Sequence, residues 1–121
     1  MSANDKQLGG DHYSKYNYQP WDFLIDCDVP HLLAAAIEYV IRWKDKNGVL
    51  DLEKASHHLE KAIEVNQRMP PFNASLLDEL LPQFSRPEAM IVRMIMNNRS
   101  DTARRLISNI IVNESLGVRR I

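Results

Sequence analysis

Apolar residues recur with a helical period along most of this 121-residue chain, and proline, glycine and capping residues separate the periodic stretches. The first long stretch is predicted to begin at Pro30, capped by Asp28 or Val29, and to end near Gly48. Its apolar side consists of Leu33, Ala36, Ile37, Val40 and Ile41. A second stripe follows Asp51, the predicted N-cap of the next helix. The two stretches predict an antiparallel helical hairpin.

The other predicted elements are also helical. Pro20 opens a short helix over 20–26, and Ser75 caps another over 76–81. The sequence MPPFN, residues 69–73, breaks the chain. No strand-like alternation is present, and the segment before Pro20 is irregular. We therefore predict an all-α protein with an N-terminal unit, residues 1–68, and a C-terminal helical unit, residues 69–121, unless both form one compact domain.

The C-terminal unit contains a helix whose apolar residues are not confined to one side. Ser85 and Glu88 form a predicted capping box before AMIVRMIMNN, in which Arg93 alone interrupts the apolar run. A chain of this size is expected to bury only one side of such a helix, so the C-terminal helices are predicted to hold a homo-oligomer together. Ser100 is the predicted cap of the last helix, which Gly117 ends. Its inward residues are predicted to be Leu106, Ile107, Ile110 and Ile111.

Charge is distributed unevenly along the chain. Residues 1–85 carry eight Lys or Arg and thirteen Asp or Glu, whereas residues 86–121 carry seven Arg and three acidic residues. This asymmetry permits an anionic partner or contact between copies. Arg104 and Arg105 face different sides of their helix, which argues against a nucleic-acid surface. The lone Cys27, the absence of a signal peptide and the absence of a membrane-spanning run predict a soluble cytoplasmic protein with no membrane partner.

Known phosphate and metal motifs are missing from the sequence. Its glycines stand only at 9, 10, 48 and 117, so neither a Walker loop nor a dinucleotide fingerprint is present. His57 and His58 point about 100° apart on a helix and cannot easily share an ion. Glu60 and Glu64 lack the paired i, i+3 carboxylates of helical pyrophosphatases. No metal site is predicted.

Two segments carry the residues expected to bind a ligand. The sequence GGDHYSKYNYQPWDF, residues 9–23, places a histidine, three tyrosines and a tryptophan in a segment without periodicity, which is typical of a binding surface. The run RWKDK holds Arg42, Lys44 and Lys46. These cations either complement the helix dipole, with a Glu38 to Arg42 pair, or clamp a phosphate.

Residues 9–64 resemble the SaV-like family of small phage proteins. The resemblance rests on a Gly-x-His-Tyr motif, a Gln-Pro-Trp-Asp box, a Tyr-x-x-Arg-x-Lys-x-Lys-Asn-Gly turn and an Asp-Leu-x-Lys-Ala helix. The residues are Gly10, His12, Tyr13, Gln19, Pro20, Trp21, Asp22, Tyr39, Arg42, Lys44, Lys46, Asn47, Gly48, Asp51, Leu52, Lys54 and Ala55. The family includes a kinase that converts deoxynucleoside monophosphates to diphosphates without a Walker loop. The resemblance therefore implies nucleotide binding, with phosphoryl transfer as the expected reaction.

The predicted function is that of a phage nucleotide kinase-like protein acting in the host cytoplasm. A nucleoside triphosphate is the expected phosphoryl donor, and the need for a divalent metal stays open. The predicted catalytic residues are His12, Asp22 and Arg42. The predicted nucleotide-binding residues are Tyr13, Lys15, Trp21, Tyr39, Arg42, Lys44 and Lys46. The alternative is a non-catalytic phage protein that sequesters a nucleotide signal or inhibits a host enzyme.

Overall fold

The computed structural model describes residues 16–117, and the regular structure within that range is helical. The helices are α1 (Pro20–Asp26), α2 (His31–Arg42), α3 (Val49–Glu64), α4 (Ala74–Leu80), α5 (Arg86–Met96) and α6 (Ser100–Ser115), with a 3-10 turn at Leu81–Gln83. The predicted all-α class is confirmed. Three predicted site residues, His12, Tyr13 and Lys15, lie outside the described range.

The α2–α3 hairpin forms the centre of the fold. Helix α6 packs against α3, α5 packs against both α2 and α6, and α1 packs against α4. The buried residues form one apolar cluster to which every α-helix contributes. Helices from both sides of the Met69–Asn73 break therefore share one core. Within residues 16–117, no helix is long and apolar enough to cross a bilayer.

The N-terminus of α2 is capped from a distance. Pro30 occupies the N-cap position and makes no side-chain capping bond. The Gln67 side chain instead accepts the Leu32 N–H at 2.7 Å and the Leu33 N–H at 3.3 Å. The prediction that Asp28 or Val29 caps this helix is wrong, because Gln67 satisfies the orphan N–H groups that a local cap would otherwise serve.

The α2–α3 turn also differs from its prediction. Gly48, with φ 61° and ψ −137°, is the N-cap of α3, which begins two residues before Asp51. The Asp51 carboxylate is fully buried and accepts the Asn47 backbone N–H at 3.2 Å. Asp51 is therefore not the N-cap that the sequence suggested. It reaches back from the first turn of the helix and fixes the turn itself.

Three further caps correct or refine the predictions. Asn73, rather than Ser75, caps α4, and its side chain accepts the Ser75 N–H at 3.1 Å. Ser100 is the first residue of α6, and Arg99 is the N-cap. Ser85 is the N-cap of α5 as predicted, but its hydroxyl makes no capping bond to the helix and instead donates to the Glu88 carboxylate. Helical periodicity locates these helices, while the cap depends on side-chain geometry.

Helix α5 is buried along one side within the single chain. Ile91, Val92, Ile95 and Met96 are all buried within the single chain, whereas Met90 is 42% exposed. These four residues lie on one side of the helix, against which α2 and α6 pack, so the single chain buries one side of α5 as expected. The oligomer itself stays a prediction.

Candidate functional site

The predicted basic cluster separates in the folded chain. Arg42, at the end of α2, turns towards α3, whereas Lys44, two residues later, contacts the start of α5. Lys46 is exposed in the turn that follows. The buried Trp43 lies between Arg42 and Lys44 in sequence. Arg42 and Lys44 are therefore held by different carboxylates, and the phosphate clamp stays a prediction.

Arg42 is held by the buried carboxylate of Asp51. The Arg42 Nε and Nη2 atoms lie 3.3 Å and 3.4 Å from the two oxygens of that carboxylate. The guanidinium also lies 4.6 Å from the centre of the Tyr39 ring. Burial favours a higher pKa for Asp51, but hydrogen bonds from Asn47 and Arg42 outweigh it and leave the pKa below its ordinary value. Asp51 is therefore ionised at neutral pH, and the guanidinium balances its charge.

Lys44 is paired with Glu88, a buried carboxylate at the start of α5. The Trp43 indole N–H donates to Glu88 Oε1 at 2.9 Å, and the Lys44 ammonium lies 3.3 Å from the same oxygen. Burial would raise the pKa of Glu88. Hydrogen bonds from Ser85 and Trp43, with the nearby charge of Lys44, lower it below the ordinary value instead. This cluster ties the end of α2 to the start of α5.

A cleft of about 380 Å³ opens beside the Lys44 to Glu88 pair. Its lining residues are Tyr16, Asn17, Ile41, Lys44, Asp45, Gln83, Phe84, Ser85 and Glu88. The rings of Tyr16 and Phe84 meet edge to face, with their centroids 5.2 Å apart. The size and the aromatic wall suit a small planar ligand.

The wall of this cleft is fixed by backbone pairing to one glutamine. Gln83 accepts the Tyr18 N–H at 2.9 Å and donates to the Tyr18 carbonyl at 3.0 Å. It also donates to the carbonyl of Leu80 at 3.2 Å. The amide thereby fixes residues 16–18 against the 3-10 turn at Leu81–Gln83. Tyr16 is consequently part of a preorganised wall.

The remaining predicted residues lie elsewhere. Tyr39 packs beside Arg42, Lys54 and His58 on the hairpin, and it does not line the cleft. Trp21 and Asp22 lie on α1, where Trp21 is exposed, and neither lines the cleft. Among the described residues, no group of three or more His, Cys, Asp or Glu side chains is arranged to hold a metal ion.

Sequence reasoning missed most of the cleft. Phe84 and Ser85 lie outside the segment that resembles the SaV-like family, and Glu88 was interpreted only as half of a capping box. Trp43 and Glu88 are 45 residues apart in sequence, so no local pattern joins them. The one available signal was the aromatic segment, residues 9–23, which contains Tyr16 and Tyr18. It indicated a binding surface without indicating the opposite wall.

Comparison of the chain with protein-family models, with curated proteins and with solved structures finds no match. The resemblance to the SaV-like family therefore stays a prediction based on the motifs within residues 9–64.

Proposed function

We propose that this chain binds a deoxynucleoside monophosphate in the cleft and transfers to it a phosphoryl group from a nucleoside triphosphate. The observation that carries the proposal is an aromatic-walled cleft that is lined by Lys44 and by Tyr16 of the predicted aromatic segment. Concave sites with aromatic walls and a few charged groups are where small ligands bind. Tyr16 and Phe84 would contact the base.

Lys44 is the cation that would meet the phosphate. Its side chain is 51% exposed, so its ion pair with Glu88 is screened by solvent and contributes little to stability. Glu88 keeps the hydrogen bonds from Trp43 and Ser85 when Lys44 moves away. Lys44 can therefore exchange Glu88 for a phosphate oxygen at small cost. The cleft also contains the carboxylates of Asp45 and Glu88, so the charge of Lys44, with the nearby exposed Lys46, is needed for an anion to enter.

The reaction class rests on the resemblance, whereas the individual residues are proposed from their chemistry. His12 and Asp22 are proposed to orient or deprotonate the acceptor phosphate, and Tyr13, Lys15 and Trp21 to complete the binding surface. Phosphoryl transfer requires positioning and neutralisation of charge on the phosphate oxygens. Arg42 is a weaker candidate for this role than the sequence suggested, because leaving Asp51 would strand a buried carboxylate.

A non-catalytic binding protein is the second candidate, and one observation favours it. Glu88 is the buried carboxylate of the cleft, and its pKa is lowered by hydrogen bonds that outweigh its burial. A carboxylate that is stabilised in its ionised form is a poor general base. The same cleft would then hold a nucleotide without transferring phosphate, as a factor that sequesters a signal or inhibits a host enzyme would do.

The cellular setting is part of the proposal. We expect a phage protein that acts as a homo-oligomer in the host cytoplasm, with a nucleotide ligand and without nucleic-acid or membrane partners.

Calorimetric titration of the full chain with dTMP and dGMP tests where the nucleotide binds. Lys44→Ala should weaken binding by about 1.5 to 3 kcal/mol, the range for a hydrogen bond to a charged group. Lys61→Ala is the matched control. Lys61 is 54% exposed and pairs with Glu64 on α3, and neither residue lines the cleft. Affinity that is equal in all three proteins would contradict the cleft as the binding site.

Incubation of the wild-type chain with ATP and each monophosphate separates the two candidates. Formation of the diphosphate supports the kinase. Binding without turnover supports the non-catalytic protein, and a wild-type chain that binds neither monophosphate contradicts the kinase.

A further inference from the structure

A second group of cationic and aromatic side chains lies on the α2–α3 hairpin, outside the cleft. We call it the Tyr39 face, and it consists of Tyr39, Arg42, Lys54 and His58. The Arg42 guanidinium lies 4.6 Å and the Lys54 ammonium 5.7 Å from the centre of the Tyr39 ring. The His58 ring centre lies 5.4 Å from the same point. None of these four residues lines the cleft beside Lys44.

Lys54 differs from the other lysines of the described range. Lys44 and Lys61 are exposed and paired with carboxylates, and Lys46 is exposed, whereas Lys54 is half-buried. Within residues 16–117, the ammonium of Lys54 has no carboxylate within ion-pair distance, and its contact is the face of the Tyr39 ring. A partly desolvated cation without a counter-ion attracts an anion more strongly than a solvated one.

His58 is fixed in one tautomer by the same helix. Its Nδ1 lies 2.8 Å from the carbonyl oxygen of Lys54. Because a carbonyl oxygen can only accept a hydrogen bond, Nδ1 carries the hydrogen. Nε2 therefore carries the lone pair in the neutral ring and becomes a second donor when the ring is protonated. The imidazole is thus held in place with one nitrogen left for a ligand.

Two of the carboxylates near this face already have partners. Asp51 is fully buried and accepts hydrogen bonds from Arg42 and Asn47. Glu60 is paired with other cations: its carboxylate oxygens lie 3.7 Å from His57 and 3.6 Å from Arg104 of α6. Glu38, which precedes Tyr39, is exposed to solvent, and its charge interacts with that of Arg42.

From this arrangement we infer that the Tyr39 face binds a phosphate group, at a site separate from the cleft. Within the described residues Lys54 has no carboxylate partner and supplies the positive charge, while Nε2 of His58 offers a hydrogen-bonding atom to the phosphate. Arg42, held by Asp51, contributes fixed positive potential next to the Tyr39 ring. The phosphate belongs either to free inorganic phosphate or to a nucleotide. The inference stands independently of the proposed function, because it involves neither Lys44 nor the cleft.

Nuclear magnetic resonance of the His58 ring tests this site in the full chain. The ring Cε1–H resonance, assigned with His58→Gln, is followed at about pH 6, where imidazole side chains are in part protonated. Inorganic phosphate and dTMP are titrated separately, and sodium chloride keeps the ionic strength constant. We expect a saturable change of the His58 resonance in the wild-type chain.

Lys54→Met keeps the length of the side chain and removes its charge, and it should raise the dissociation constant for phosphate about tenfold. Lys61→Met, on the same helix, should leave the constant unchanged, and so should Lys44→Ala. If the His58 resonance responds saturably to inorganic phosphate, the free anion is sufficient for binding at the Tyr39 face. If it responds to dTMP alone, the site binds a nucleotide. The inference is overturned if the resonance follows ionic strength alone, if Lys54→Met binds as the wild type does, or if Lys44→Ala abolishes the response.

Discussion

Two buried carboxylates, Asp51 and Glu88, determine the chemistry around the end of α2. Each is almost inaccessible to solvent, and each is ionised because donors surround it. Asp51 joins Arg42 to the α2–α3 turn, whereas Glu88 joins Trp43 and Lys44 to α5. The two clusters explain why neighbouring cations of one short run face different parts of the molecule. A residue placed by such long-range donors cannot be assigned from its neighbours in sequence.

The lowered pKa of Glu88 predicts a specific dependence of stability on pH. Burial would raise this pKa, but hydrogen bonds from Ser85 and Trp43 and the charge of Lys44 lower it below 4.5. The fold therefore stabilises the ionised form, so this stabilisation is present above the ordinary pKa and is lost as the pH falls through the folded value. Glu88→Gln should reduce the free energy of unfolding at neutral pH by about 1 to 3 kcal/mol.

Urea unfolding followed by circular dichroism measures this difference at neutral pH and again at about pH 3, below the ordinary range for a glutamate. The gap between the wild type and Glu88→Gln should narrow at the lower pH. Glu114→Gln, at an exposed position in the last turns of α6, is the control and should show no gap. A gap of equal size at both values of pH would contradict the role assigned to the ionised carboxylate.

At the scale of the elements, the sequence predicted which segments are helical better than it predicted how they are capped. Periodicity and proline are local signals, and they located α1, α5 and the start of α2 to within a few residues, whereas α2 ends at Arg42 and not near Gly48. The cap of α2 comes from Gln67, which lies 35 residues from Leu32 in sequence. Such a cap depends on the folded arrangement of α3 and cannot be deduced from the residues that precede α2. The cleft was missed for the same reason.

The backbone conformation of the α2–α3 turn favours glycine at position 48. Its φ of 61° and ψ of −137° belong to a region that residues with a side chain rarely adopt. A Cβ atom at this position would meet no other atom within 4 Å, so the cost of substitution lies in the backbone. Gly48→Ala should therefore destabilise the chain by about 1 to 3 kcal/mol.

Thermal unfolding of Gly48→Ala and Gly117→Ala provides a matched comparison. Gly117 also has a positive φ and open space around its Cβ position, but it follows the exposed C-terminal end of α6. Local fraying relieves strain there, so Gly117→Ala should have the smaller effect. Equal losses from the two substitutions would show that the turn does not depend on the conformation of Gly48.

At the scale of the whole molecule, the two predicted units share one apolar core. Leu33 and Ile37 of α2 belong to the same buried cluster as Ile91 and Ile95 of α5. The sequence indicated that α5 needs partners to bury its apolar residues but could not show that α2 and α6 cover its buried side. The case for an oligomer is consequently reduced to the part of α5 that its own chain leaves exposed. Ile95 is fully buried, so a charge placed there would unfold the chain whatever its oligomeric state.

Met90 gives the sharper test of oligomerisation. It is 42% exposed on α5, so Met90→Glu should leave the single chain folded and should separate subunits only if α5 lies in an interface. Light scattering at micromolar concentration should show a wild-type mass above 14.0 kDa and a lower mass for Met90→Glu, with unchanged helical circular dichroism. Ile25→Glu, at an exposed position on α1, introduces the same charge away from the C-terminal helices and should keep the wild-type mass. A wild-type mass near that of one chain would show that the prediction of a homo-oligomer is wrong. A mass that is equally high in Met90→Glu would place the interface elsewhere than on α5.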